Sequence, residues 1–79
     1  MSTKDIWDEL GEAWGCPVVA REQIGVFTGG LVHPNTMRNC DSRGEGPGKI
    51  CLSSRKIGYK TTNLVSWLRQ RAEAANFQG

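Results

Sequence analysis

The sequence lacks the features of a membrane, secreted or metal-binding protein. No run of about 18 apolar residues is present, and the start is not the basic, apolar and small-residue pattern of a signal peptide. Cys16, Cys40 and Cys51 form no Cys-x-x-Cys pair, so neither a disulfide framework nor a common zinc knuckle is expected. We therefore expect a cytoplasmic protein with free thiols, no metal and no cofactor.

Candidate residues for catalysis are equally few. His33 and Cys40 are the only conceivable base and nucleophile, and they fall near the start and middle of one predicted helix. The alternative of a zinc site would have to gather these two residues with Cys16 and Cys51, whose spacings match no compact site. We expect a protein that is not an enzyme.

The charges are unevenly distributed along a chain of 79 residues, which is long enough for one small domain. Residues 1–33 carry two basic and five acidic side chains, whereas residues 34–71 carry eight basic and two acidic ones. The basic half is where a polyanion would bind.

Residues 1–16 predict an amphipathic acidic helix that precedes a domain over residues 17–75. Trp7, Leu10 and Trp14 share one helical stripe, Asp5 suits the helix start, and Gly15 and Pro17 end it. We favour packing of this helix on the domain, and the alternative is a helix that binds a partner or a second copy.

The next segment has the spacing of a helix-turn-helix. After a brief extended segment at residues 17–20, residues 21–28 predict a first helix, stopped by Gly29 and Gly30. Pro34 suits the first position of a second helix within residues 31–43. The apolar face of the first helix is predicted to comprise Ala20, Ile24, Phe27 and Leu31.

The second helix is predicted to bury one side and expose the other. Met37 and Cys40 fall on the apolar side, and the polar side carries Asn35, Arg38, Asn39 and Ser42. Arg and Asn side chains have the geometry that suits guanine and adenine edges in the major groove. The competing interpretation is an ordinary solvated helix face.

A glycine-rich loop then leads to a hairpin with strands over residues 49–53 and 56–60 and a basic tip at Ser54 and Arg55. Its apolar residues are expected to lie on the helices, because an isolated hairpin is only marginally stable. These are Ile50, Leu52, Ile57 and Tyr59.

Thr61 or Thr62 is predicted to cap a last helix that ends near Ala75 before a tail over residues 76–79. Its predicted buried stripe comprises Leu64, Val65, Leu68, Ala72 and Ala75, with Trp67 beside it, and Arg69 and Arg71 are expected to be solvated. The layout predicts an α+β fold, a small winged helix-turn-helix with a two-stranded antiparallel wing.

Five ordered blocks of the chain resemble the small phage and prophage excisionase-like proteins of the MerR-type winged helix-turn-helix group. The blocks are VVAREQI at residues 18–24, TGGLVHPNTM at 28–37, DSRGEGP at 41–47, RKIGYK at 55–60 and LVSWL at 64–68. Ala20 departs from the pattern, since Ser or Thr often caps the first helix there, and the acidic segment before Val18 lies outside the shared blocks.

The resemblance implies a sequence-specific DNA-binding protein that bends DNA and assists a tyrosine integrase in excision, or a small transcriptional regulator of a phage or mobile-element operon. It implies double-stranded DNA as the partner and a nucleoid-associated protein encoded by a bacterium or phage. Because one domain of this size has a small footprint on DNA, we also expect self-association on adjacent sites or a protein partner. The implied reading residues are Asn35, Thr36, Arg38, Asn39 and Arg43. Lys49, Arg55, Lys56 and Lys60 are expected to contact the DNA backbone. The remaining alternative is a protein-interaction module that uses the helix with Trp7 and Trp14.

Overall fold

The computed structural model describes residues 5–77, which form an α+β fold of helices and one antiparallel sheet. In chain order the elements are α1 (Ile6–Trp14), β1 (Val18–Ala20), a 3₁₀ helix (Arg21–Gln23) that leads into α2 (Ile24–Phe27), α3 (Pro34–Ser42), β2 (Lys49–Ser53), β3 (Lys56–Lys60) and α4 (Thr61–Phe77). The strand order is β1-β3-β2. Within residues 5–77, no helix combines the length and the apolar character needed to cross a membrane. The predicted α+β class is confirmed.

One hydrophobic core joins the inner face of the sheet to the helices. Its buried members are Val19, Ile24, Phe27, Met37, Cys40, Tyr59, Leu64, Val65, Trp67 and Leu68. Every element except β2 and the 3₁₀ helix has a residue packed in or against this cluster. The helices and the sheet are therefore held by a single set of apolar contacts.

The first helix packs on this core. Asp5 caps α1 by accepting a hydrogen bond from the Asp8 N–H at 2.9 Å, and Gly15 ends the helix at a φ of 68°. The half-buried Trp7, Leu10 and Trp14 face the core, and the Trp14 indole donates to the Val18 carbonyl at 2.9 Å. This packing confirms the favoured interpretation of the segment; residues 1–4 lie outside the described part.

The brief extended segment before the first domain helix is a third strand, which the sequence analysis did not predict. In β1, Val18, Val19 and Ala20 pair with Lys60, Tyr59 and Gly58 of β3. The sheet thus has three strands where a two-stranded wing was predicted. No side chain caps the following 3₁₀ helix at Ala20, as its sequence suggested.

The prediction that Leu31 belongs to the apolar face of the first helix is wrong. The helix ends at Phe27, and the chain then turns at Gly29 and Gly30, which adopt positive φ values of 66° and 90°. Leu31 therefore lies beyond the helical repeat and is 75% exposed. Thr28 stabilises this turn, since its hydroxyl donates to the Ile24 carbonyl and accepts from the Val32 N–H.

The hairpin has the predicted strand limits, but β2 faces the other way. Ile57 and Tyr59 of β3 point towards the core, as predicted. Ile50 pairs with Gly58, so it shares the outer face of the sheet with Gly58, and both Ile50 and Leu52 are exposed. The expectation that these two side chains lie on the helices is wrong, because the register of the hairpin places them on the opposite face.

The last helix starts directly after β3 and runs further than predicted. Thr61 is its first residue and does not cap it; instead the Thr61 N–H and hydroxyl donate to the Pro17 and Cys16 carbonyls. Ala75 is exposed, contrary to prediction, and the helix continues to Phe77. Residues 78–79 of the predicted tail lie outside the described residues.

Arg69 is not solvated as predicted but joins α4 to α1. Its guanidinium donates to both carboxylate oxygens of Asp5, at 2.7 and 3.1 Å, and to Asp8 at 2.5 Å. The hydrogen bond from Arg69, followed by that from the Asp8 N–H, lowers the pKa of Asp5 to about 2. Arg71 is exposed and lies over the Trp67 ring, 4.9 Å from its centroid.

Candidate functional site

The position of α3 is fixed by the residues at its start and by its buried side. His33 precedes it in an extended conformation, and its Nδ1 accepts a hydrogen bond from the Asn35 N–H at 3.1 Å. Pro34 occupies the first turn, where the absence of an N–H has no effect on the helix. Met37 and Cys40 are fully buried, which anchors one side of α3 in the core.

The opposite side of α3 is exposed and polar. Asn35, Arg38, Asn39 and Ser42 are all exposed, which confirms the predicted division of the helix into two sides, and Thr36 is exposed as well. Arg38 donates to the Asn35 side-chain oxygen at 3.2 Å. This contact couples two of the predicted reading residues and holds the guanidinium at the helix surface.

A groove separates the start of α3 from the tip of the β2–β3 hairpin. It has a volume of about 320 Å³, and its walls include Arg38 and Pro34 of α3 and Ser54 and Arg55 of the hairpin tip. Arg21 and Glu22 also line it. Two of the predicted site residues, Arg38 and Arg55, are therefore brought together from parts of the chain 17 positions apart.

The other predicted basic residues lie outside this groove. Arg43 follows α3 and forms an exposed ion pair with Glu45 at 3.2 Å. Lys49 borders a shallow hollow beside the glycine-rich loop. Lys56 and Lys60 alternate with Gly58 on the outer face of the sheet. The nine predicted residues thus do not gather in a single pocket.

Behind α3 lies a buried polar cluster that the sequence analysis missed. Arg21 donates to Asp41 at 2.6 Å and to the Tyr59 hydroxyl at 3.0 Å, and Tyr59 donates to the same Asp41 oxygen at 2.6 Å. The Arg21 and Asp41 side chains are only 13% and 5% exposed. The cluster joins the 3₁₀ helix, α3 and β3, so it sets how α3 sits relative to the hairpin.

The electrostatics of this cluster follow from burial and hydrogen bonding. Burial pulls the pKa of Arg21 down, but the hydrogen bonds to Tyr59 and Asp41 outweigh it and raise the pKa above its ordinary value. Burial, together with the hydrogen bond to Asp41, raises the pKa of Tyr59 to about 12. At neutral pH the cluster is a buried ion pair bridged by a neutral phenol.

One signal in the sequence could have revealed this cluster. Asp41 stands four positions after the buried Met37, and Arg21 stands three before the buried Ile24, so both lie on the apolar sides of their helices. A charged residue on an apolar stripe usually has a partner there. The glycine at position 46 belongs to the same arrangement, because a Cβ at that position would collide with the Asp41 carboxylate.

The conceivable catalytic and zinc residues are separated in the fold. The His33 imidazole caps the start of α3, whereas Cys40 is buried two turns along the same helix. Cys16 and Cys51 are exposed. Within residues 5–77, no group of three or more His, Cys, Asp or Glu side chains is placed to hold a metal ion.

Comparison of the chain with family models, with curated proteins and with solved structures finds no match in any of the three.

Proposed function

We propose that this protein binds double-stranded DNA in a sequence-specific manner as a small winged helix-turn-helix, with α3 in the major groove and the β2–β3 hairpin against the adjacent backbone. The observation that carries this proposal is the groove that brings Arg38, from the exposed polar side of α3, together with Arg55 at the tip of the hairpin. The major groove admits an α-helix, and basic side chains on either side of such a helix neutralise backbone phosphates.

The exposed residues fall into two groups, those proposed to contact bases and those proposed to contact phosphates. Arg38 is the proposed base contact, since a guanidinium can donate twice to a guanine edge, and Asn35 and Asn39 suit adenine. Arg55, with Lys49, Lys56 and Lys60, supplies phosphate contacts, each of which adds roughly 0.9 to the slope of log affinity against log salt. Arg43 can join them because its exposed pair with Glu45 is worth little.

The contacts on the buried side of α3 also support the proposal. Base recognition needs a helix whose position is fixed within about 0.5 Å and whose orientation is fixed within roughly 10 to 20°, and such precision comes from packing and hydrogen bonds beneath the contact residues. Met37, Cys40 and the Asp41 ion pair supply that support. In this proposal α3 is a rigid reading element and not a solvated helix face.

We propose an excisionase-like role first and transcriptional regulation as a close second. An excisionase-like protein would bend DNA beside a tyrosine integrase, and a transcriptional regulator would occupy an operator. One small domain has a small footprint on DNA, so we propose that either role uses several copies on adjacent sites or a protein partner.

The proposal is tested by selecting duplexes from a randomised pool and measuring binding at two salt concentrations. The wild type is compared with Arg38→Ala and with Arg71→Ala, a matched control whose guanidinium lies on α4 over Trp67. We expect Arg38→Ala to lose about 1 to 3 kcal/mol of discrimination while keeping salt-sensitive background binding. Arg71→Ala should retain the selected preference. Absence of wild-type binding above background at low salt would refute the proposal.

A further inference from the structure

The hairpin carries an apolar side chain that the predicted contacts leave without a role. Leu52 is 86% exposed, the highest value among the large hydrophobic side chains described within residues 5–75. It stands two positions before the turn at Ser54 and Arg55. An apolar residue at the tip of a basic hairpin is therefore presented to whatever the hairpin contacts.

The exposure of Leu52 follows from the strand pairing. Cys51 pairs with Ile57 and Ser53 pairs with Lys56, so two steps along β2 match one step along β3 and Leu52 is the extra residue of a β-bulge. A bulge bends its strand and redirects a side chain. Leu52 lies on the outer face of the sheet, beside Ile50 and Lys56, at a hollow of about 190 Å³.

The charges near Leu52 favour a polyanion over a protein surface. Arg55 and Lys56 stand three and four positions after it and are exposed, and no Asp or Glu occurs in the sequence between Glu45 and Glu73. Glu22 is a carboxylate that borders the same hollow, near the end of β1. The tip thus combines one apolar side chain with flanking cations, which is the combination that minor-groove proteins use to separate base pairs.

We propose that Leu52 acts as an apolar wedge that enters the minor groove and partly unstacks one base step when the hairpin lies on duplex DNA. This inference rests on the proposed DNA binding. The flanking Arg55 and Lys56 hold the two backbones, and the inserted side chain kinks the duplex by roughly 20 to 90° towards the major groove. The wedge selects flexible pyrimidine–purine steps, which unstack most easily, without a hydrogen bond to any base.

The test compares wild type, Leu52→Ala and Leu52→Phe on the duplex selected by the wild type. Ile50→Ala is the matched control, since Ile50 lies on the same outer face of β2 but further from the tip and is 43% exposed. Affinity is measured at two salt concentrations, and the bend is measured by energy transfer between dyes on the duplex ends. Circular dichroism verifies that each variant is folded.

We expect Leu52→Ala to bind about tenfold more weakly and to bend the duplex less, with an unchanged salt slope, because an apolar contact releases no counterions. Leu52→Phe should retain the bend, and Ile50→Ala should match the wild type. Selection with Leu52→Ala should lose the preference for a pyrimidine–purine step at one position.

Two outcomes overturn the wedge and separate its failure from that of DNA binding. If Leu52→Ala binds and bends the duplex like the wild type, the wedge is refuted while sequence-specific binding stands. If, in addition, the wild type sediments as a dimer and Leu52→Ala as a monomer, Leu52 is assigned to a contact between copies. If the wild type binds no duplex above background, the proposed function itself fails and the wedge fails with it.

Discussion

Replacing Asp41 by Asn tests whether the buried ion pair fixes α3 in the fold. The substitution keeps the size of the side chain but removes the charge that faces Arg21 at 2.6 Å. With both side chains almost fully buried, Arg21 would be left as an uncompensated charge away from water. Breaking one side of such a pair costs about 3 to 5 kcal/mol. Since a domain of 79 residues has a total stability of about 4 to 12 kcal/mol, the loss should be a large fraction.

The assay is urea unfolding at neutral pH, followed by tryptophan fluorescence. Glu45→Gln is the matched control, because it removes a carboxylate charge from an ion pair whose Glu45 side chain is 58% exposed. We expect the control to lose less than about 1 kcal/mol and the slope of unfolding free energy against urea to stay constant in both variants. An Asp41→Asn variant no less stable than Glu45→Gln would refute the structural role given to the cluster.

Three further outcomes follow from the same contacts. Tyr59 is the only tyrosine in the sequence, so its ionisation can be followed by the ultraviolet absorbance of tyrosinate. In the native protein the midpoint should lie near pH 12, compared with 10.0 for an ordinary tyrosine, and the free energy of unfolding should fall as the pH rises between these two values. The pKa of Asp5 is lowered from 3.8 to about 2, so its contribution to stability is complete above pH 4 and should be lost as the pH falls towards 2, an effect that Asp5→Asn should abolish. Gly46→Ala should destabilise the fold by about 1 to 3 kcal/mol, because the added Cβ displaces Asp41. The control Gly25→Ala lies in helical backbone with room for a Cβ, so its stability should be unchanged or higher. Equal changes in unfolding free energy for the two variants would contradict the close approach of Gly46 to the Asp41 carboxylate.

Short-range signals in the sequence were enough to predict most of the elements. Asp5 and Gly15 mark the two ends of α1, and Pro34 marks the start of α3. The strand limits of the hairpin also agree with the alternation of apolar residues. These features act within a few residues of each other, so they can be interpreted without knowing the tertiary structure.

The orientation of β2 could not be predicted in the same way. Its apolar residues alternate as clearly as those of β3, but the turn and the bulge at Leu52 set a pairing that leaves both Ile50 and Leu52 on the outer face of the sheet. A shift of one residue in register exchanges the two faces of a strand. The pairing of β1 with β3 was missed for a related reason, because it joins Val19 to Tyr59 across 40 positions of sequence.

The candidate site was predictable in its exposed part and not in its buried part. The helical repeat places Asn35, Arg38 and Asn39 on one side of α3, and the structure agrees. Their role in reading DNA stays a prediction. The partnership of Arg21 with Asp41 and Tyr59 depends on tertiary packing, so the sequence could indicate at most that these charges face inwards.

The contact between Asp5 and Arg69 joins residues 64 positions apart, and this separation affects how the chain folds during synthesis. On the ribosome, residues 5–60 are synthesised before any part of α4. The surfaces of Trp7 and Leu10 that α4 and the core later cover are then open to water. The core closes only when α4 can reach it, and until then these apolar side chains offer a binding surface for chaperones.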